Sequence, residues 1–455
     1  MAMGKRRQHR QQPLFIIAAN LPRTPAHPFY ERLNQVLAEN GFDPFVEGLC
    51  ARFYHPTLGH PSLEPGKYFR LLLIGYFEGI DSERGIAWRC ADSFSLRSFA
   101  GYGIEEAVAD HSTISRTRRL VDVETHHEIF AWILKVLAKH KLVEGKTVGV
   151  DATTLEANAA MRSIIRRDTR ESYEEFLTRL AKASGIETPT REDLARIDKN
   201  RKNKASNDDW EHPHDPDARI TKMKDGTTHL AHKAEHAVDM KTGALLGVTL
   251  QGADQGDTTT LMNTVIETTQ NLRDLSDDPQ TEDKVHENFM SELVTDKGYH
   301  SNGMVTDLAE INIRSYVSEP NRGQRDWEGK AEMKAAVYAN RRRIRGERGK
   351  RLMRKRGELI ERSFAHGYET GGMRRLHLKH RENIYKRLLV HMGGFNLGLV
   401  MRKLLGMGKP RRWQGLFSPI FALVSALWRL LAALWSERRP SDRQTQVPSQ
   451  LALVS

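Results

Sequence analysis

From Phe29 to Leu142 the apolar positions recur at helical spacing. Dense runs such as YFRLLLIGYF are separated by polar breaks containing Gly or Asp, and no strand-like alternation interrupts them. The pattern predicts an all-helical segment over 29–142. Within it, ADHSTISRTRRL offers Asp110 or Ser112 as the cap of a helix carrying Arg116, Arg118 and Arg119. Such a helix suits phosphate contact, and an ordinary capped surface helix has the same pattern. At Lys146 the period changes to that of a β-branched strand, KTVGVDATTLEA, with Val148 and Val150 on one face and Asp151 at its polar edge. Residues 162–219 are charged and poor in large apolar side chains, which marks an insertion whose stretch DKNRKNKASNDD reads as exposed. Two further strands, HLAHKAEHAVDM and ALLGVTLQGA, meet around Lys241–Gly243 as a hairpin, and Asp257 is placed to cap the helix that follows. Leu293–Thr295 then forms a short strand ending at Asp296, followed by a helix and the strand IRSYV. That succession is the grammar of an α/β sheet, in which functional side chains gather at the carboxyl ends of strands.

The two ends read differently. Residues 1–28 form a basic tail, and its apolar run Leu14–Ala19 is shorter than the h-region of about 7–15 residues that a signal peptide needs. The stretch 412–436 contains Phe417, Ile420, Phe421, Val424, Leu427, Trp428, Leu431 and Leu434 at helical spacing, with Ser425, Arg429 and Ser436 among small alanines. It predicts an amphipathic helix docking on its own chain or a partner subunit, with no membrane contact expected. Residues 437–455 read as a disordered tail.

Composition narrows the class. Across 455 residues, 39% hydrophobic and 28% charged describe a folded chain of more than one domain. Two cysteines, Cys50 and Cys90, cannot build a disulfide framework, and the chain has no C-x-x-C pair, so a reducing compartment such as the cytoplasm is expected. The net charge of +12 points to a polyanionic partner, with nucleic acid the first candidate. The charge is concentrated: RRRIRGERGKRLMRKR, 341–356, holds eight Arg, two Lys and one Glu, a net of +9. Self-repulsion makes such a run costly away from anions, and arginine is suited to bidentate phosphate contacts.

Beside this run lies GELIERSFAHGY, a continuing helix with Leu352, Leu359, Ile360 and Phe364 on one stripe and Glu358 and Glu361 three residues apart. Two strand-end aspartates, Asp151 and Asp296, together with a helical glutamate next to the strongest phosphate-binding segment, are the donors that two-metal phosphoryl transfer requires. Hard oxygen ligands hold two Mg²⁺ ions roughly 4 Å apart, one activating the attacking oxygen and the other stabilising the leaving one. A zinc site among His229, His232 and His236 is disfavoured, because on a strand only His232 and His236 share a side. Asp254 and Asp257 form an auxiliary acidic pair for which turn and capping roles are the simpler account.

These residues resemble the DDE transposases of bacterial insertion sequences over roughly Phe29–Arg411. The carriers are YFRLLLIGYFEGIDSERGIAWR and DHSTISRTR in the helical part, GVDATTLEANAAMR at the first acid, GADQGDTTT after the hairpin, LVTDKGYHS at the second acid, YANRRRIRGERGKRLMRKRGELIERSFAH at the third, and GGMRR and GFNLGL downstream. The resemblance implies a ribonuclease-H-like α/β core, a mixed sheet flanked by helices, over 143–411 with the charged insertion 162–219, behind an all-helical DNA-binding and assembly domain over 29–142. It also implies Asp151, Asp296 and Glu361 as the catalytic, metal-holding triad, with Glu358 excluded. Related enzymes carry Arg four residues before the glutamate and Lys seven after; here those positions are Gly357 and Tyr368, with Arg356, Arg362, Arg374 and Lys379 as the neighbouring bases.

The implied activity is Mg²⁺-dependent cleavage and strand transfer at the terminal inverted repeats of the element, with Mn²⁺ as a substitute ion, by a homodimer or larger assembly acting on double-stranded DNA. The implied DNA contacts are Arg116, Arg118, Arg119, Lys297, Arg341, Arg342, Arg343, Arg345, Arg348, Lys350, Arg351, Arg354, Lys355, Arg356 and Arg362. A ribonuclease-H-like nuclease without strand transfer and a catalytically silent DNA-binding descendant are the alternatives.

Overall fold

The structure, a computed structural model, describes residues 27–55, 62–201, 206–223, 226–321, 323 and 325–410. The basic tail up to residue 26, the helix expected over 412–436 and the tail 437–455 lie outside the described residues. The chain divides into two compact units, Met1–Gly408 and Lys409–Ser455, and the helices and strands of the described residues all belong to the first.

The apolar runs of the first part fold as α1 (Pro28–Glu39), α2 (Phe42–Cys50), α3 (Pro65–Glu78), α4 (Glu83–Ala91), α5 (Phe94–Ala100), α6 (His111–Leu120) and α7 (Val123–Lys139). Helix starts follow local chemistry: Ser82, Ser93, Asp110 and Asp122 each accept a backbone N–H of the helix they open. Asp110, not Ser112, caps α6, and its hydrogen bonds hold its carboxyl near a pKa of about 2. Helix α3 is apolar on nearly every side and is buried from Tyr68 to Phe77. Its one buried cation, Arg70, is paired with Asp43 (Nη2–Oδ2 2.9 Å).

The sheet begins with β1 (Thr147–Glu156). The insertion follows as β2 (Ile165–Arg166), α8 (Tyr173–Ala183), α9 (Arg191–Asn200) and β3 (Trp210–Glu211). Poor in apolar residues though it is, this segment has a small core of its own. Trp210 packs edge-on against Phe176 and Tyr173, with Ile164, Leu177 and Ala218 around them. The main sheet continues with β4 (Arg219–Lys222), β5 (Thr228–Asp239) and β6 (Leu245–Gly252), then α10 (Asp257–Asp277), β7 (Glu292–Thr295), α11 (Asn302–Glu310) and β8 (Arg314–Val317). Helices α12 (Ala331–Arg345), α13 (Glu347–Phe364) and α14 (Arg381–Leu405) complete the fold.

Strand β5 is the long antiparallel partner of β1, and its other edge pairs first with β4 and then with β6. On the far side of β1, β7 and β8 add in parallel. The order is β4/β6, β5, β1, β7, β8, a mixed sheet flanked by helices. Both outer strands are closed by a side-chain amide that imitates a strand: Asn396 of α14 exchanges two hydrogen bonds with Leu245 and Asn340 of α12 two with Val317, at 2.8–3.0 Å. Helix α14 is buried from Ile384 to Met401 and packs against α3, α7 and β6, which joins the helical part to the sheet. Close approach there requires glycine: a Cβ on Gly393 would stand 2.6 Å from Ile133 and one on Gly394 2.7 Å from Tyr76.

Under α14, the Glu267 carboxylate accepts Val248 N–H (3.2 Å) and the Tyr385 hydroxyl (3.0 Å), and burial pushes its pKa up to about 7. Because the folded value lies above the ordinary one, the folded state holds the proton more tightly. The stabilisation is full below about pH 4.5 and is lost as pH rises toward 7. In Glu267→Gln the amide oxygen keeps the Val248 N–H and the amide nitrogen donates to the Tyr385 hydroxyl oxygen, whose proton then goes to Val248 O alone. Urea unfolding from pH 5 to 8 should therefore show the variant gaining roughly 2 kcal/mol over the parent at the alkaline end. Parallel pH profiles would place the titrating group elsewhere.

Candidate active site

Register brings the two aspartates together. In the parallel β1/β7 pair Thr147 faces Glu292 and Gly149 faces Val294; two further steps along both strands set Asp151 beside Asp296. Asp151 is not at the end of its strand as expected, because β5 continues to pair with β1 as far as Glu156. It does lie just beyond the end of its pairing with β7. Asp296 opens the turn after β7, its Oδ1 accepting Gly298 N–H at 2.8 Å.

Helix α13 crosses the same sheet face. Ile360 and the stem of Arg356 lie over Gly149, and the Arg356 guanidinium pairs with Asp151 at 2.6 Å. Burial pushes the Asp151 carboxyl above the usual range, Arg356 opposes the shift, and the Asp296 charge adds to it. A carboxylate so placed is destabilised as an anion, which is the condition that a bound cation relieves.

Glu361 lies on a different side of α13 from the residues that meet this pair. It is exposed, on α13, about 100° around the helix from the inward-facing Ile360. Among the described residues, Asp151, Asp296 and Glu361 do not bring one oxygen each within 4.8 Å of the others. Glu358 is likewise exposed and pairs with Arg362 at 2.7 Å. At the positions of the related signature, Tyr368 is buried with its hydroxyl on His236 Nε2, while Arg374 reaches Thr153 Oγ1 at 3.1 Å. His236 also contacts Ser363 through Nδ1, and burial pulls its pKa down to about 3, so it is a packed neutral imidazole.

Three further groups gather around the aspartates. Asp257 does not cap α10 as expected; Gly256 does, and the Asp257 carboxylate turns to Lys233 Nζ at 2.9 Å. A Cβ on Gly298 would stand 2.6 Å from Asp257 Oδ2 and 3.1 Å from Asp296 Oδ1, so the backbone passes closely between the two carboxylates and a side chain there would displace them. Glu235 is fully buried, accepting from Thr260, Thr264 and Tyr299 and lying 3.2 Å from Lys233. The Tyr299 hydroxyl is pushed well above its ordinary pKa by burial and then by Glu235, Asp257, Asp151 and Asp296. Four carboxylates thus surround one tyrosine at the end of β7. Neither Glu235 nor Tyr299 stands out in the sequence, where the one signal is the charged residues alternating along the apolar strand HLAHKAEHAVDM. Asp254 turns away, toward Arg219 at 3.6 Å.

The expected phosphate contacts divide into two sets. Arg118 is buried, paired with Glu83 and placed beside Asn383, so it holds the helical part together and leaves the DNA-contacting set. Arg341 is held by two hydrogen bonds to Glu319 and Arg343 by two to Ser315, while Arg348 makes one to Glu292 and Arg356 one to Asp151. Arg116, Arg119, Lys297, Arg342, Arg345, Lys350, Arg351, Arg354 and Arg362 are exposed, with Lys350 on Glu347, and Lys355 is half-exposed. The run spans the junction of α12 and α13, where Gly349 meets Arg343 O so closely that a side chain would collide with backbone.

A family model described as Transposase domain (DUF772) matches residues 20–120. The chain carries a transposase domain. The match covers α1–α6, the capped helix with Arg116 and Arg119 included, and DNA is accordingly the partner that the domain points to. No curated protein and no solved structure matches the chain. Among the described residues no helix is long and apolar enough to cross a membrane.

Proposed function

We propose that this transposase domain is joined to a ribonuclease-H-like catalytic core, and that the chain cuts DNA at the ends of an insertion sequence and joins them to a target. The observation that carries the reading is the placement of Asp151 beside Asp296 at the end of β7, on the central pair of a mixed sheet. The sheet order supports it: the first three long strands, β1, β5 and β6, form an antiparallel meander, and β7 and β8 extend it in parallel from the other side of β1.

The donor set fits hard divalent cations, since Asp151 and Asp296 offer only carboxylate oxygens and the Asp151 anion is disfavoured by burial and by the Asp296 charge. Asp151, Asp296 and Glu361 would hold Mg²⁺, or Mn²⁺ in its place, with Asp257 adjacent. Such ions supply activation of the attacking oxygen and charge stabilisation of the leaving one. The protein supplies the rest. Arg356 balances Asp151 and is positioned to exchange that carboxylate for a DNA phosphate, while Arg374 approaches from the Thr153 side. The exposed bases of α12 and α13 hold the duplex so that water, and afterwards the freed 3′-hydroxyl, lies in line with the scissile phosphorus. Pairing two ends requires at least a dimer. A cytoplasmic protein is in keeping with the two free, buried thiols, which burial pushes up to about 11.

Purified chain incubated with DNA carrying the inverted repeats of its element, Mg²⁺ and a supercoiled target should yield joined products. Nicks without joining would reduce the function to a nuclease, and binding without either would leave a DNA-binding protein.

A further inference from the structure

A second cluster of metal-ligating side chains lies where the insertion returns to the core. Asp215 and Asp217 sit in the loop between β3 and β4, and His380 immediately precedes α14. One ligand atom from each of the three comes within 4.8 Å of the others. Capping explains part of the arrangement: Asp215 Oδ1 accepts His380 N–H and Asp217 Oδ2 accepts Arg381 N–H, both at 3.0 Å, at the start of α14. It does not explain the remainder. Asp215 Oδ2 is fully buried with no hydrogen-bond donor, 3.5 Å from His232 Nε2, and neither ring nitrogen of His232, itself fully buried, makes a hydrogen bond. Buried polar atoms that make no hydrogen bond are costly, and a cation held between these side chains would satisfy them.

We propose that Asp215, Asp217 and His380 form a second metal site, for a zinc-class ion, with His232 completing or orienting it from β5. An imidazole combined with carboxylates selects zinc over magnesium or calcium, which prefer all-oxygen shells. Bonds of about 2.0–2.2 Å are reached by small side-chain movements from the present spacing. The site fastens the insertion to the start of α14. It also fixes one end of the segment that runs along β1, where Glu156 N–H bonds Arg374 O (3.1 Å) and Leu376 N–H bonds Glu156 O (2.9 Å). This assignment does not depend on the catalytic reading.

The test uses the full-length, tag-free chain loaded with zinc, dialysed against Mg²⁺ buffer and assayed for metal content. The parent should retain one equivalent of zinc. His380 has φ +67°, a conformation that favours glycine, so His380→Gly keeps both backbone caps and relieves strain while removing the imidazole. This variant and Asp217→Asn should lose the zinc, with affinity in a chelator competition reduced at least about tenfold, and zinc should raise the Tm of the parent but not of these two variants. Asp151→Asn should retain zinc like the parent, which separates this site from the acidic pair on β1 and β7. Equal zinc in parent and His380→Gly, or none in either, overturns the proposal. Should the variants fail to fold, Co²⁺ titration of the parent decides: a saturable visible absorption band displaced by zinc upholds the site, and its absence overturns it.

Discussion

Asp296→Asn and Asp151→Asn should each lower the rate of DNA strand cleavage by about a thousandfold or more, equivalent to roughly 4 kcal/mol of transition-state stabilisation. The exchange is isosteric, and in Asp296→Asn the side-chain amide oxygen can still accept the Gly298 N–H that shapes the turn after β7. What is lost is one negative charge, and with it the affinity for a hard cation. DNA binding measured by anisotropy should fall little, and in Asp151→Asn it should rise slightly, because Arg356 is released from its 2.6 Å ion pair. Glu361→Gln should show the same loss of cleavage and Glu358→Gln should not. That contrast tests the third acid separately from the aspartate pair, since Glu361 and Glu358 are both exposed on α13. Cleavage that survives Asp296→Asn would remove the pair from the chemistry.

Elements with a strong local period were legible in the sequence. The strands β1, β5, β6, β7 and β8 and the helices around YFRLLLIGYF and GELIERSFAH lie where the alternation of apolar and polar residues puts them. Two features were not readable because they depend on partners distant in the chain. Asp151 reads as a strand end because polarity rises after Val150, yet β5 extends the strand to Glu156. Asp257 reads as a cap because it precedes a helix, yet Lys233 on β5 draws its carboxylate away. The insertion illustrates the limit of composition: its few large apolar residues, Phe176, Leu177 and Trp210 among them, converge into a core that their scarcity conceals. Of the candidate site, the nearness of Asp151 and Asp296 is the part that the strand pattern makes legible. Glu235 and Tyr299 belong to it only through the fold, since nothing local marks a strand glutamate or a tyrosine after a glycine as neighbours of two aspartates.

The basic run shows why counting charges overstates an interface. Of its ten bases, Arg341, Arg343, Arg348 and Arg356 already have protein partners, whereas Arg342, Arg345, Arg351 and Arg354 are exposed. Replacing those four exposed arginines with Ala should weaken DNA binding about a hundredfold or more at low salt. It should also make the slope of log K against log salt shallower by roughly 3 to 4, since each phosphate contact contributes about 0.9. Arg341→Ala and Arg343→Ala should behave oppositely, leaving the slope nearly unchanged while lowering Tm. Arg341 anchors Glu319 just beyond β8, and the half-buried Arg343 hydrogen-bonds the carbonyl and hydroxyl of Ser315 within it. Salt titrations of the quadruple variant and the two single variants measure both quantities. A slope that moves with Arg343 and not with the exposed four would place the DNA on the other side of α12.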